Sequence, residues 1–214
     1  MVRPRAENYE ERRQSLLDAA AAMFAERGFD GASMSQIARQ CGVSKALLYH
    51  YYQSKEELLY SMLSSHCHLL LRTAEEALAG TEEKVSQGSS SARERLHALI
   101  GALMRLYMES RDKHVVLLNS LHCLPDKQQV EIKQLERNLV GLIKDLLSEL
   151  KPGIDESLRS SLAMYLMGAI NWTYTWFRPD GPVSQEEYAR MATGVFLDGI
   201  ESQELSSFVG AGEA

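Results

Sequence analysis

The sequence contains 214 residues, of which 45% are hydrophobic and 24% are charged, and this balance excludes a mostly disordered chain. No apolar run reaches the ~20 residues of a membrane-spanning helix, the N-terminal residues form no apolar signal core, and the three cysteines show no CxxC spacing, so we expect a reduced cytoplasmic protein. The formal net charge is −6, but residues 1–52 hold seven Lys/Arg against six Asp/Glu, which favours a small nucleic-acid-binding module on an acidic body.

Helical periodicity dominates the chain, and the first helix is predicted over residues 9–27. Leu16, Ala20 and Phe24 fall on one face of this helix at four-residue steps. We expect Gly28 to end the helix in the left-handed conformation that glycine adopts most readily.

Three serines mark the next helix starts, two of them as capping boxes with Gln or Glu three residues further on. The caps and their partners are Ser33 with Gln36, Ser44, and Ser54 with Glu57. Gly42 lies between two short helices, the second of which begins at Lys45. Two short helices joined by a tight turn are typical of a helix-turn-helix unit.

Longer helices fill the rest of the chain, interrupted by a Gly/Ser-rich loop between residues 80 and 91. They are predicted over residues 55–79, 92–110, 113–123, 126–150, 155–177 and 184–201. The sequence therefore predicts an all-α fold in three parts. These are an N-terminal three-helix helix-turn-helix domain (residues 1–54), a larger C-terminal helical domain (residues 55–204) and a flexible tail (residues 205–214).

The second short helix carries the chemistry of the first domain. Leu48, Tyr51 and Tyr52 share a flank that can pack on the helix above, whereas Ala46 and His50 face the opposite way and fit the major groove of DNA. Candidates for base contacts are Lys45, Ala46, Leu47 and Tyr49, and candidates for phosphate contacts are Ser33, Ser44, His50 and Lys55. The alternative is a plain packing unit whose polar residues are only solvated.

At this point the chain resembles the DNA-binding domain of the TetR family of bacterial regulators. The residues that carry the resemblance are Ala20, Phe24, Gly28-Phe29, Ser33, Ile37-Ala38, Gly42-Val43-Ser44, Leu48-Tyr49-His50-Tyr51-Tyr52 and Ser54-Lys55-Glu56-Glu57-Leu58. The resemblance implies an all-helical homodimer that represses transcription from a palindromic operator in double-stranded DNA. A small hydrophobic ligand that binds the C-terminal domain would release it. Ala46 and Leu47 depart from the glycine and the Thr or Ala that the family usually has, which leaves the operator sequence open.

The last two long helices carry apolar seams that predict a dimer interface. The seams consist of Leu158, Leu162, Tyr165, Leu166, Ala169, Trp172, Thr173 and Trp176, and of Tyr188, Met191, Ala192, Val195 and Phe196. Two such helical hairpins can pair by twofold symmetry into a four-helix bundle. The TetR family uses the same two helices for its dimer interface. An ordinary intramolecular core is the alternative.

A ligand site is expected among the middle helices, because Met-rich apolar linings suit irregular hydrophobic ligands. The candidates are Met104, Tyr107, Met108, Leu118, Leu121 and Leu142. Residues 171–181 are also similar to a stretch in TetR-type regulators that respond to acyl-CoA thioesters. This similarity implies that Arg178 pairs with a CoA phosphate and that Trp172 or Trp176 lines an acyl or adenine site. Structural aromatics at the dimer seam are the competing interpretation.

The sequence predicts no metal site, no cofactor and no catalytic site. His66 and His68 diverge by ~200° on a helix and cannot easily chelate one ion together, and GxSxG, HExxH and glycine-rich phosphate loops are absent. Two other function classes stay open: a helical ligand-carrier or interaction protein that does not bind DNA, and a helical enzyme.

Overall fold

The computed structural model describes residues 4–85 and 91–202, and the backbone in these ranges is helical with no strand, which confirms the all-α prediction. The helices are α1 (Pro4–Gly31), α2 (Met34–Gln40), α3 (Lys45–Tyr51), α4 (Lys55–Val85), α5 (Ala92–Glu109), α6 (Arg111–Ser120), α7 (Asp126–Leu150), α8 (Glu156–Asn171), α9 (Thr173–Trp176) and α10 (Gln185–Ser202). A short 3-10 segment over Leu121–Cys123 follows α6. None of the helices described is long and apolar enough to cross a membrane.

The chain divides into two compact units. The first contains residues 4–68 and Ser110–Gln134, and the second contains the described residues of 69–109 and 135–202. Helices α4 and α7 each contribute residues to both units. The boundary that we predict after residue 54 coincides with the start of α4, but the first compact unit extends beyond it and includes α6.

The first unit is built around α1, which packs against α2 and α6, while α2 packs against α3. Its buried side chains include Leu16, Leu17, Ala20 and Phe24 of α1, Ile37 and Ala38 of α2, Leu48 of α3, and Leu58, Met62 and Leu63 of α4. Burying such apolar side chains is the main term that stabilises this small unit. The three-helix arrangement predicted for the N-terminal part is therefore present.

In the second unit, α10 packs against α5 and α8. Leu99 and Leu103 of α5, Leu166 and Ile170 of α8, and Leu197 and Ile200 of α10 are buried there. The ring of Tyr165 on α8 stacks on the ring of Phe196 on α10, with centroids 6.2 Å apart. The α8–α10 pair is the helical hairpin that the two apolar seams predict.

Several helix boundaries differ from the sequence prediction. Helix α6 covers Arg111–Ser120 and not residues 113–123, and α1 runs to Gly31 with a non-helical residue at Gly28. Three further differences are larger. Helix α4 continues to Val85, so residues 80–85 are helical and not part of a loop, and Thr81 supports the turn by donating its hydroxyl to the carbonyl oxygen of Leu78 at 2.6 Å. Residues 86–90 of the predicted loop and the predicted tail over residues 205–214 lie outside the described residues. Helix α1 begins at Pro4, because proline is tolerated in the first turn of a helix.

The third difference is a break at Trp172, where a single helix over residues 155–177 is predicted. The hydroxyl of Thr173 donates to the carbonyl oxygen of Ile170 at 2.6 Å, and the hydroxyl of Thr175 donates to that of Trp172 at 2.8 Å. Threonine hydroxyls that bond back to the preceding turn compete with the helical backbone ladder. Helix α8 therefore ends at Asn171, and the short helix α9 follows it.

Candidate functional site

The turn before α3 is built by local backbone hydrogen bonds. The N–H of Val43 donates to the carbonyl oxygen of Ala38 at 3.0 Å, and the N–H of Gly42 donates to that of Arg39 at 3.1 Å. This pair of bonds is the Schellman motif, and it requires the positive φ of +66° that Gly42 adopts. The Oγ of Ser44 then accepts a hydrogen bond from the N–H of Leu47 at 3.1 Å and starts α3, as predicted.

Helix α3 separates a packed face from an open face. Leu48 and Tyr52 are buried against the rest of the first unit, and burial raises the pKa of the Tyr52 phenol to about 12. The side chains of Ser44, Lys45, Ala46, Tyr49 and His50 are exposed together, and Leu47 is half-buried. The Lys45 ammonium lies 5.6 Å from the centre of the Tyr49 ring, which is cation–π geometry. The open face thus presents a cation, a phenol, an imidazole and a hydroxyl from one helix.

Two of the predicted phosphate ligands are already engaged inside the first unit. The hydroxyl and the N–H of Ser33 both donate to the side-chain oxygen of Gln36, at 2.7 and 2.9 Å, and complete the predicted capping box. The Lys55 ammonium donates to the carbonyl oxygens of Phe29 (2.8 Å) and Ala32 (3.1 Å) and lies 4.1 Å from the centre of the Phe29 ring. The side chains of Ser33 and Lys55 therefore both have structural partners. The Ser33–Gln36 pair is predicted from the sequence, whereas the partners of Lys55 are not.

An aromatic contact between α1 and α3 lies beside this face. The rings of Tyr9 on α1 and Tyr51 on α3 stack with centroids 4.9 Å apart and an angle of 24° between their planes. The His50 ring meets Tyr51 edge-on at 5.9 Å. Because 42 residues separate Tyr9 from Tyr51, no local sequence pattern could have indicated that they meet.

The predicted ligand residues fall into a buried group and an exposed group. Met104 and Tyr107 are buried and Met108 and Leu142 are half-buried in the second unit, Leu118 and Leu121 are half-buried in the first unit, and Trp172, Trp176 and Arg178 are exposed. The hydroxyl of Tyr107 donates to Oδ1 of Asn171 at 2.9 Å, so this buried phenol has a polar partner. Trp172 and Trp176 are 62% and 51% exposed, which suits a surface site or the dimer-seam alternative.

His66 of α4 is a buried polar residue for which the sequence offers no role. It is 1% exposed, its ring lies 5.7 Å from that of His114 on α6, and neither of its ring nitrogens has a hydrogen-bond partner in the described part of the chain. Burial, together with the positive charge of Lys113, lowers the pKa of His66 to about 4. Within residues 4–85 and 91–202, no three or more His, Cys, Asp or Glu side chains are grouped to hold a metal ion.

Comparison with protein families matches both parts of the chain. Residues 16–62 match a family model described as "Bacterial regulatory proteins, tetR family". Residues 89–200, just over half of the chain, match one described as "Tetracyclin repressor-like, C-terminal domain". The first match includes the Schellman turn and α3, so the open face of α3 lies inside the matched region.

Similar proteins extend over nearly the whole length. The HTH-type transcriptional repressor KstR2 of Mycolicibacterium smegmatis is 29% identical over 199 residues, which cover 88% of this chain and 90% of the relative. A TetR-family transcriptional regulator from Bordetella parapertussis is 36% identical, with a TM-score of 0.79 and coverage of 89% and 96% of the two chains. AibR, solved in complex with isovaleryl coenzyme A and operator DNA, is 26% identical, with a TM-score of 0.72 and coverage of 86% and 97%.

Proposed function

The chain belongs to the TetR family of bacterial regulatory proteins, and we propose that it is a ligand-responsive transcriptional repressor that binds a palindromic operator as a homodimer. The observation that carries the DNA-binding part is the open face of α3. Lys45, Tyr49 and His50 are exposed side by side while Leu48 holds the helix to the unit behind it. A short helix presented in this way enters the major groove and meets base edges and phosphates.

We assign the contacts by chemistry. Lys45 donates to guanine O6/N7, Ala46 lets the backbone approach, and Leu47 and Tyr49 complete the base side. Ser44 and His50 donate to phosphates. The side chains of Ser33 and Lys55 and the N–H of Ser33 are engaged elsewhere, so the phosphate contacts proposed at these positions rest on the backbone N–H groups that follow Ser33 in α2 and on those at the start of α4.

The test is fluorescence anisotropy on a duplex that the wild-type protein selects from a randomised library. We expect Lys45→Ala to lose roughly tenfold in affinity, because it removes one charged contact from each recognition helix. Lys133→Ala removes another exposed positive charge, from α7, and is the matched control. Affinity that falls steeply with salt supports the proposal, since it reports phosphate contacts, whereas salt-independent binding would favour a carrier or interaction protein.

We propose that the homodimer forms through an exposed apolar face of α8 and α10. Tyr165 is 67% exposed and Val195 is 68% exposed, Met164 and Met191 are also exposed on these helices, and the exposed Trp172 directly follows α8. Apolar side chains grouped in this way mark association surfaces. Val195→Asp should therefore give monomers in sedimentation velocity. Val130→Asp, at a similarly exposed valine of α7, should remain dimeric.

We propose an acyl-CoA thioester as the releasing ligand. The support is the similarity to AibR, whose structure contains isovaleryl coenzyme A, and the grouping of Trp172, Trp176 and Arg178 at one helix end. Helix α4 starts after the recognition helix and runs to Val85. A ligand among Met104, Tyr107, Met108 and Leu142 of the second unit would move α4 and alter the spacing of two recognition helices that must match half-sites ~34 Å apart, or a multiple of it. Leu118 and Leu121 belong to the first unit and are not assigned to this site.

The ligand class is tested by titrating the protein–DNA complex with isovaleryl-CoA, a long-chain acyl-CoA and free CoA. Release by a thioester but not by free CoA supports the proposal, and Arg178→Gln should then raise the thioester concentration needed for release. A complex that no thioester dissociates would keep the regulator and discard the CoA assignment of Arg178, Trp172 and Trp176.

A further inference from the structure

Three aromatic rings form a row at the end of the recognition helix. Tyr51 is the middle ring: Tyr9 covers its face at 4.9 Å, and His50 meets its edge at 5.9 Å with an angle of 84° between the planes. Tyr9 comes from α1, so the row ties the beginning of one helix to the end of another. Stacked and edge-on rings at these separations attract each other beyond the effect of burial alone.

The row lies at the surface and not in the core. Tyr9 is 49% exposed, Tyr51 is half-buried and His50 is exposed. The neighbouring Tyr52 is buried. The charges of Arg13 and Glu10, from the same stretch of α1 that carries Tyr9, act on its phenol. The first turns of α1 therefore lie directly against the C-terminal end of α3. The buried Tyr52 already serves the core there, so core packing alone would not require the exposed Tyr9–Tyr51 stack.

We infer that Tyr9 is a positioning residue for DNA binding: by stacking on Tyr51 it holds the His50 imidazole in the orientation that meets the DNA backbone. The inference rests on the proposed function, since it assigns the role through His50. A side chain that is ordered before binding loses less conformational freedom when the complex forms than one that rotates freely in the unbound protein. Tyr9 itself makes no contact with DNA in this assignment, and its hydroxyl is dispensable.

The magnitude follows from the freedom that the row removes. Immobilising one rotatable side chain on binding corresponds to about a two- to tenfold change in affinity. We therefore expect Tyr9→Ala to weaken binding to the selected duplex by that factor for each recognition helix. Tyr9→Phe keeps the stacked ring and should restore wild-type affinity. Ser15→Ala, an exposed position on another side of α1, is the matched control.

A double-mutant cycle separates positioning from a general structural effect. If Tyr9 acts through His50, Tyr9→Ala should change affinity by less than about 1.5-fold when His50→Ala is already present. Thermal unfolding of each variant, followed by circular dichroism, verifies that it is folded at the assay temperature. A loss in Tyr9→Ala that is rescued by Phe and absent in the His50→Ala background supports the inference.

Three results would overturn this inference while leaving the proposed function in place. Wild-type affinity in Tyr9→Ala would remove the role of the stack. Equal losses in Tyr9→Phe and Tyr9→Ala would mean that the hydroxyl contacts DNA directly. An undiminished Tyr9→Ala effect in the His50→Ala background would mean that Tyr9 acts through another residue. A wild-type chain that selects no duplex would overturn the proposed function together with this inference, so the two failures are distinguishable.

Discussion

Protonation of His66 gives a quantitative link between acidity and folding. The pKa of His66 is lowered from an ordinary value of 6.5 to about 4, first because the imidazole is buried and second because Lys113 is close. The unfolded chain therefore takes up the proton more readily than the folded chain between pH 6.5 and 4. The free energy of unfolding should be highest above about pH 6.5, fall as the pH drops through this window and level off below about pH 4.

The size of the effect follows from the two pKa values. Their difference corresponds to about 3 kcal/mol of unfolding free energy in total, of which about 2 kcal/mol is lost by pH 5. Urea denaturation between pH 8 and 4.5, followed by far-UV circular dichroism at one fixed protein concentration, measures this slope. His66→Phe fills a similar volume without ring nitrogens, so it should flatten the slope and leave the stability at pH 7 within about 1 kcal/mol of wild type.

His68→Phe is the matched control, because it removes an exposed imidazole from the same helix, and it should keep the wild-type slope. The pKa of His97 is also lowered, by burial and by the charges of Arg93 and Arg190, so the informative quantity is the difference between each variant and wild type. A slope in His66→Phe that equals the wild-type slope would refute the reasoning.

Two pairs of substitutions test local features of the helices. Lys55→Met removes the ammonium from the carbonyl oxygens of Phe29 and Ala32 and should lower the free energy of unfolding by about 1–3 kcal/mol, whereas Lys45→Met on the exposed face should change it by less than about 0.5 kcal/mol in the same urea titration. Gly28→Ala forces alanine into φ 71° and ψ 167° and should lower stability by about 1–3 kcal/mol, while Gly80→Ala inside α4 should raise it by about 0.5–1 kcal/mol; a destabilised Gly80→Ala would contradict the helical assignment of residues 80–85.

Features set by a few neighbouring residues could be predicted from the sequence. The Ser33–Gln36 box, the Ser44 cap and the glycine turn at Gly42 each depend on side chains and backbone within six residues, and all three are present. The exposure of Lys45, Tyr49 and His50 follows from helical periodicity once Leu48 faces inward.

Features that depend on tertiary contacts could not be predicted from local sequence patterns. The sequence places Lys55 at a helix start as a candidate for a phosphate contact, but its ammonium reaches carbonyl oxygens 23 and 26 residues earlier in the chain. The stack of Tyr9 on Tyr51 likewise needs α1 and α3 to be side by side. The predicted loop start at Gly80 is wrong for a different reason. Glycine and threonine suggest a break there, but the surrounding helix continues through them.

The positions of the two tryptophans determine which changes in the protein its intrinsic tryptophan fluorescence can report. Trp172 and Trp176 are the only tryptophans in the sequence, and both stand at the surface of the second unit, on the side proposed for self-association. Their emission should shift to shorter wavelength when a partner covers them, so the unlabelled chain is its own association probe. The tryptophan fluorescence should not change while the helix-turn-helix unit unfolds, whereas circular dichroism records the unfolding of both units. Denaturation curves recorded by fluorescence and by circular dichroism can be compared directly. A difference between their midpoints would measure how independently the two units unfold.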